Sequence, residues 1–378
     1  MGWRAAVRVM TGAVAHATDE FASKVDAFLS ASTESVAGVF NLTTAVDRVG
    51  EGASRIPVSI NCSEPGNTWV CSPHTTYGRY SIEEVERWGH AYLTKPLGAI
   101  CRAVGAYLWH ARVDDAVALN NWLLSTNLYP PLRKQALGKW IDEALDRWPR
   151  HALWFRSLNR RCTPEWLQAL EGAGFILIPS RQVYLYDRID PHARRPQNLR
   201  RDLALLRATS LVRSGAEEWR ADDFERAARL YAQLYLEKYS CLNPHYSARF
   251  LKVWHAAGLL KLTGFRDSQG VLQAAVGLFE IGNTITAPIV GYATERPSEE
   301  GLYRLLMATV YEQAAVRSSR INLSAGAAQF KRLRGGVGTI EYSAVYTRHL
   351  PANRRRAVGL LGMLARRIGE PCMRRFKL

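Results

Sequence analysis

The stretch that most constrains the fold runs from residue 259 to residue 346. Three apolar and β-branched segments, residues 259–265, 271–281 and 284–294, are separated by the turn sequences DSQG and GN. This pattern is typical of an antiparallel meander. Residues 301–319 follow with apolar side chains at helical spacing. A short strand at 320–326, a basic helical turn at 327–336 and a last strand at 338–347 complete the pattern, which predicts a mixed α/β sheet.

The first half of the chain shows a similar alternation. Its predicted elements are a hairpin at 58–64 and 68–73, a helix that starts at Ser81 with Glu84 as its capping-box partner, a helix at 97–110, a strand at 114–126, a helix at 131–148, a strand at 152–158, a helix at 163–175 and a strand at 176–187. Strands and helices thus alternate on both sides of residues 188–210. We therefore expect two copies of one architecture, as two superposable mixed sheets joined by this connector.

Composition places the chain among folded proteins. Its 378 residues are about right for two domains, and 47% hydrophobic against 22% charged residues excludes a disordered chain. No apolar run approaches the ~20 residues of a membrane-spanning helix. The N-terminal residues are too broken by Arg and Gly for a signal peptide, so a cytoplasmic protein is expected. The six cysteines form no C-x-x-C pair, which argues against a metal site and against a disulfide scaffold.

The net charge of +16 indicates an anionic partner without naming it. Coenzyme A, an acidic acyl carrier protein, tRNA and the face of an anionic membrane would all suit. Much of the excess lies in the connector sequence HARRPQNLRRD and in the last stretch, ANRRRAVGLLGMLARRIGEPCMRRFKL. A charge run of this kind is more often a solvated surface than a binding site.

Three sequences in the second half carry a family resemblance: GLYRLLMATVYEQA, LNPHYS and SAGAAQFKRLRG. Together with the order of elements, they resemble the Gcn5-related N-acetyltransferase (GNAT) superfamily, in the branch called FemAB-like or BioF2-like. The resemblance implies two tandem GNAT-like folds. We expect an N-terminal extension at 1–50, a first domain at 51–190, a connector at 191–216, a second domain carrying the active site at 217–350 and a basic C-terminal helix or tail at 351–378.

The resemblance also implies acyl transfer to the amine or hydroxyl of a small acceptor. In this fold the donor lies between two central strands that splay apart, here 284–290 and 320–324. The helix that begins near Gly301 would point its N-terminus at a pyrophosphate. The glycine-rich phosphate loop of the superfamily is absent, however, because residues 293–304 read ATERPSEEGLYR.

This departure leaves the donor open. An acyl-CoA, the phosphopantetheine thioester of a carrier protein and an aminoacyl-tRNA are all compatible with it. A non-catalytic tandem module that binds an anion is the alternative of a different class.

Two residues are candidates for proton transfer. Glu280 lies among apolar neighbours in VGLFEIG, where partial burial would raise its pKa towards the range of a general base. The alternative is a carboxylate at a strand end that faces water beside the Gly282-Asn283 turn. Tyr292, at the end of the sequence IVGY, is a candidate proton donor or a wall of the acceptor site, and a core tyrosine is the alternative.

The remaining candidates come from the resemblance. The donor-binding residues it implies are Ser324, Gln329, Lys331, Arg332 and Arg334, for which a capped helix with solvated cations is the alternative. The acceptor-binding residues it implies are Tyr239, Asn243 and Tyr246, for which core packing and turn formation are the alternative. Tyr77, Tyr80 and Glu83 also match the family pattern, without an assigned role.

Overall fold

The computed structural model describes residues 19–32, 38–87, 91–187, 189–190 and 194–376. Eleven strands of these residues form one mixed sheet. The strands are β1 (Ala45–Val49), β2 (Ile56–Cys62), β3 (Asp115–Leu119), β4 (Ala152–Asn159), β5 (Ile176–Tyr186), β6 (Val212–Gly215), β7 (Lys261–Arg266), β8 (Leu272–Ile281), β9 (Thr284–Tyr292), β10 (Arg320–Asn322) and β11 (Val337–Tyr346).

Helices cover both faces of this sheet. They are α1 (19–32), α2 (Ser81–Arg87), α3 (Ala91–His110), α4 (Lys134–Arg147), α5 (Pro164–Gly172), α6 (Gln197–Ala208), α7 (Ala221–Ala232), α8 (Ala248–Ala256), α9 (Leu302–Val316), α10 (Ala328–Arg332), α11 (Ala352–Leu364) and α12 (Glu370–Phe376). π-Helical turns precede α2 (Thr75–Tyr80), extend α7 (Gln233–Glu237) and join α11 to α12 (Ala365–Gly369). Among the described helices, none combines the length and the apolar character needed to cross a bilayer.

The strand order is β1-β2-β3-β4-β11-β5-β10-β9-β8-β7-β6. Each half contributes one parallel pair joined by a crossover helix, β3 with β4 through α4 and β9 with β10 through α9. The mixed α/β class is therefore confirmed, and the second half has the predicted meander, crossover helix and parallel strand.

The expectation of two separate sheets is wrong. The last strand of each half pairs beside the parallel strands of the other half, β11 with β4 and β5 with β10, and the two also pair with each other. Hydrogen bonding between β5 and β11 satisfies strand edges that two separate sheets would expose. The division into five segments stays a prediction.

Three local predictions in the first half are also wrong. Residues 68–73 form a turn rather than a strand, and the Thr68 hydroxyl in this turn donates to the carbonyl of Leu242 in the second half at 2.8 Å. Ser81 does not cap a helix, because it continues the π-helical turn with helical angles and donates its hydroxyl to the carbonyl of Tyr77 at 2.8 Å. β3 ends at Leu119 instead of residue 126, because Asn120 takes a left-handed φ of 53°.

The two faces of the sheet have different cores. On one face, α3 and α11 pack over the first half and α9 packs over the second half. On the other face, a single core that includes α1, α4, α5 and α8 continues across both halves. Gly291 permits close approach of α7 to β9, since an added Cβ would lie 2.5 Å from the backbone nitrogen of Tyr231. Both halves therefore form one packed body around the middle of the sheet.

Candidate functional site

The centre of the candidate site is a gap between β9 and β10. The two strands pair in parallel over three residues only, with Thr286 opposite Asn322 as the last pair. The residues after β10 then run beside β5 alone. Leu323 N–H donates to the carbonyl of Tyr184 at 3.0 Å, and Tyr184 N–H donates to the carbonyl of Ser324 at 3.1 Å. β9 meanwhile continues beside β8 to Tyr292. Residues 287–292 and 323–325 therefore diverge.

A β-bulge begins where the strands separate. Between the pairs Phe279–Thr286 and Gly277–Ile289, β8 has one residue and β9 has two, Ala287 and Pro288. A proline has no N–H to donate to a neighbouring strand, and prolines within sheets occur at edges or bulges. The sequence therefore contained a signal for this gap in Pro288, which sequence reasoning missed. The bulge leaves its residues outside the regular ladder, available to a ligand.

The loop after β10 is held in an unusual backbone conformation. Ser324, Gly326 and Ala327 have left-handed φ values of 57°, 78° and 46°. Residues other than glycine rarely adopt such values. Asn322 stabilises the first of these turns, since its side-chain oxygen accepts from Ser324 N–H at 2.9 Å. Ser324 is half-buried at the edge of the gap.

Lys331 fixes the same loop from beneath. Its Nζ donates to the carbonyls of Leu323 at 2.6 Å, Ser324 at 3.3 Å and Ala325 at 2.8 Å. The residue is only 4% exposed. Burial, with a smaller contribution from Arg181, lowers the pKa of Lys331 to about 7. The structure thus directs this amine at backbone carbonyls, and its predicted role in donor binding stays a prediction.

The other donor-site candidates differ in exposure. Gln329 and Arg332 are exposed on α10. Arg334 is buried, forms an ion pair with both carboxylate oxygens of Asp202 and lies over the ring of Phe330 at 3.3 Å from its centre. Of the three predicted donor-site cations, Arg332 therefore presents its charge to solvent.

The same buried Asp202 also binds a residue at the start of α9. Its Oδ1 accepts from Nε of Arg304 at 2.7 Å, and the Arg304 side chain is 38% exposed. Asp202 lies on α6, in the basic connector sequence between the two halves. Sequence reasoning did not single out Asp202 or Arg304. The motif Arg200-Arg201-Asp202 in the connector was the signal for Asp202.

Two of the three glutamates in the loop before α9 form ion pairs with arginines. Arg296 donates to both carboxylate oxygens of Glu300 at 2.7 Å, and Arg226 reaches Glu295 at 3.4 Å. Gly301 precedes the helix with a φ of 62°. The two paired glutamates therefore oppose an anion at the start of α9 less than their charge in the sequence suggests.

Tyrosines line the open end of the gap. Tyr292 at the end of β9 lies 6.1 Å from Tyr303 of α9, which lies 4.8 Å from Phe330 of α10, all between ring centres. Burial raises the pKa of Tyr292 and, more strongly, that of Tyr303. Both phenols consequently keep their protons at neutral pH.

The predicted acceptor residues lie between the π-helical turn of α7 and α8. Tyr239 is 43% exposed and lies 6.1 Å from Tyr235 between ring centres. Asn243 accepts from Nε1 of Trp69 at 2.9 Å, and the hydroxyl of Tyr246 donates to the carbonyl of Leu123 at 2.9 Å. The last two residues thus bridge the two halves, and the acceptor role of all three stays a prediction.

Glu280 lies at the opposite end of β9 from Tyr292. It pairs with Ile285, whereas Tyr292 pairs with Ala274. At about 3.3 Å per residue, the seven steps from Ile285 to Tyr292 span about 23 Å. The carboxylate of Glu280 accepts from Arg317 at 2.6 Å and lines a surface cleft of about 290 Å³. The structure does not bring the two predicted proton-transfer residues together.

A buried polar cluster between the halves was not predicted. Arg181 donates to Glu341 at 2.8 Å, and the guanidinium groups of Arg181 and Arg156 lie 5.0 Å and 5.2 Å from the ring centre of Trp69. Trp69 in turn lies 5.7 Å from Tyr80. The sequence TTYGRY, which matched the family pattern without a role, therefore contributes to the region where the halves meet.

No family model and no curated protein matches the chain. Among solved structures it is similar to L-PGS from Bacillus licheniformis (11% identity, 62% of this chain and 79% of that chain, TM-score 0.44). It is also similar to FemX (10% identity, 56% and 77%, TM-score 0.43). A tandem GNAT protein from the clavulanic acid biosynthesis pathway matches at 15% identity over 61% and 75% of the two chains, with a TM-score of 0.35. At these values the likenesses do not establish a family.

Proposed function

We propose that the chain is an acyltransferase whose donor binds between β9 and β10. The observation that carries this proposal is the three-residue parallel pairing and the bulge at Ala287 and Pro288 that comes directly after it. An extended thioester chain with amide groups fits such a gap, because β9 pairs with β10 no further than Thr286 and its bulge leaves backbone groups outside the regular ladder. The phosphates of the donor would face the start of α9, where free N–H groups and the helix dipole favour an anion.

The acceptor, an amine or hydroxyl of a small molecule, enters from the tyrosine-lined end in this proposal. Tyr292 is the residue we assign to proton donation, because it lies at the open end of the gap and burial, which raises its pKa, keeps the phenol protonated at neutral pH. A protonated phenol can donate to a leaving thiolate. Tyr239 is exposed, and its ring lies against that of Tyr235. We propose that it contacts the acceptor.

The donor class is tested by titration calorimetry with acetyl-CoA. Binding is expected for the wild-type chain, and Arg332→Ala is expected to raise the Kd about tenfold, equivalent to ~1.4 kcal/mol. The matched control is Arg229→Ala, which removes an exposed arginine from α7 and is expected to bind like the wild type. Absence of binding, or equal affinities in all three proteins, would remove an acyl-CoA from this site.

An activity assay distinguishes a thioester donor from an aminoacyl-tRNA donor. Transfer from acetyl-CoA to a panel of amines is monitored by release of free thiol, before and after treatment with ribonuclease. Activity that survives ribonuclease supports a thioester donor. Transfer that requires charged tRNA and is lost on treatment would favour the alternative.

A further inference from the structure

The longest helix of the first half has two apolar faces. Its inner face, with Val104 and Leu108, packs on the sheet. Its outer face carries Tyr92, Pro96, Ala99, Ile100, Ala103 and Tyr107, all exposed and at helical spacing. Tyr92 is 96% exposed, Ile100 39% and Tyr107 37%. A helix that is apolar all round is normally buried, so this outer face calls for a partner.

Basic side chains outnumber acidic ones around this face. α3 contains Lys95 and Arg102, both exposed, and no acidic residue. α11 packs beside α3 through the core that Leu108 shares with Leu361. The exposed arginines of α11 and of the turn that follows it are Arg355, Arg356, Arg366 and Arg367. The acidic residues beside α3 are those of α2, Glu83, Glu84 and Glu86, of which the first two form ion pairs with Arg87.

We propose that the outer face of α3, together with the arginines of α11 and of the turn that follows it, docks on an anionic lipid bilayer. Tyrosine side chains suit the interface between headgroups and acyl chains. Arginines beside them attract anionic headgroups. A second copy of this chain suits the face poorly, because a symmetric contact would bring two sets of arginines together. This proposal is independent of the acyltransferase assignment, since the face lies outside the gap between β9 and β10.

The test is co-sedimentation of the full chain with vesicles. Vesicles of phosphatidylcholine with about one third phosphatidylglycerol are expected to bind the protein in about 0.1 M salt, and added salt should release it. Vesicles of phosphatidylcholine alone are expected to bind it far less. A protein that stays in the supernatant with the anionic vesicles would overturn the proposal.

Two variants separate the apolar and the basic contributions. Tyr92→Ser with Ile100→Ser is expected to weaken partition at least tenfold, whereas Phe40→Ser, which removes another exposed aromatic ring, should leave it unchanged. Arg366→Gln with Arg367→Gln is expected to weaken partition roughly 25-fold, since each arginine near the surface contributes roughly fivefold. Its control, Arg229→Gln with Lys252→Gln, removes equal charge from α7 and α8.

All four variants change exposed residues, so a matching thermal unfolding midpoint shows that they fold. Equal binding by a test variant and its control would contradict the assignment of this face. Light scattering decides the competing occupant. A dimer that Tyr92→Ser with Ile100→Ser dissociates would assign the face to a second copy and overturn the bilayer proposal.

Discussion

Each half of the sheet contains one pair of parallel strands, and the two pairs differ beyond their last paired residues. In the first half, Leu119 opposite Phe155 is the last pair, and β3 ends there. In the second half, Thr286 opposite Asn322 is the last pair, and β9 continues to Tyr292. Ser157 and Ser324 each lie two positions after the last paired residue, with left-handed φ values of 64° and 57°. The two sites are equivalent by position.

The chain itself occupies the position beyond the first pair. Residues 120–128 are almost entirely buried against β4, with Trp122 fully buried among Phe21, Phe28 and Phe279. Asn127 N–H donates to the hydroxyl of Ser157 at 3.0 Å. The corresponding loop after β9, residues 293–300, is mostly exposed. An amide donor beside a left-handed serine is thus built into the first half, which supports placing an amide-containing ligand beside Ser324 in the second.

The largest expected effect on stability comes from removing the buried ring of Trp122 in the first half. Trp122→Ala removes a fully buried ring and should lower the free energy of unfolding by ~3–5 kcal/mol, measured by urea denaturation. Trp109→Ala is the matched control, because this tryptophan is 44% exposed and its loss should cost under about 1 kcal/mol. We call residues 120–128 the plug, because they fill the position beyond the first parallel pair. Equal losses of stability in the two variants would show that the plug is not tightly packed.

The second expected effect concerns how the two loops are held. Neutral groups hold the chain after β4, where Asn159 accepts from the N–H groups of Arg161 and Cys162, whereas Lys331 holds the loop after β10. Because burial lowers the pKa of Lys331 to about 7, the unfolded chain binds a proton that the folded chain lacks between this value and the ordinary pKa of lysine. The contribution of Lys331 to stability therefore rises with pH across that window.

Lys331→Met makes this dependence measurable. The difference in unfolding free energy between the wild type and this variant should grow by about 1.4 kcal/mol per pH unit between about pH 8 and pH 10. Arg332→Met, which changes an exposed neighbour, should show no such slope. A flat difference for Lys331→Met would mean that the amine is protonated in the folded chain throughout the range.

The two serines allow a matched pair of substitutions. Ser157→Ala leaves the N–H of Asn127 without its acceptor and should cost about 1–3 kcal/mol in unfolding free energy. Ser324→Ala should change stability little and instead raise the Kd for acetyl-CoA by up to about tenfold. The reverse outcome, a stability loss at Ser324 and none at Ser157, would break the equivalence of the two sites.

The sequence predicted the second half well because its signals are local. Turn pairs separate β7, β8 and β9, and apolar spacing identifies α9. Long-range pairing was not predictable in this way, since no local pattern shows that β11 inserts beside β4. The plug was missed for a related reason. The apolar residues 122–124 favour a strand, but a left-handed Asn120 and side-chain hydrogen bonds of Asn121 and Asn127 hold this segment in a loop.

The smallest expected effect is at the closed end of the second pair. If Glu280 were the general base, Glu280→Gln would slow the reaction by about 10²–10⁴-fold and remove the acidic limb of the pH profile of kcat/KM. Its ion pair with the mostly exposed Arg317, and its place beside Ile285 where β9 and β10 are still paired, favour the alternative of a strand-end carboxylate. We therefore expect less than about a twofold change in rate and a stability loss of about 0.2–1 kcal/mol, as for other exposed ion pairs.

Tyr292→Phe is the comparison at the open end, where loss of the proton donor should slow transfer by about 10²-fold or more. A large rate loss in Glu280→Gln with little change in Tyr292→Phe would move the chemistry from the open end of the gap to the closed one.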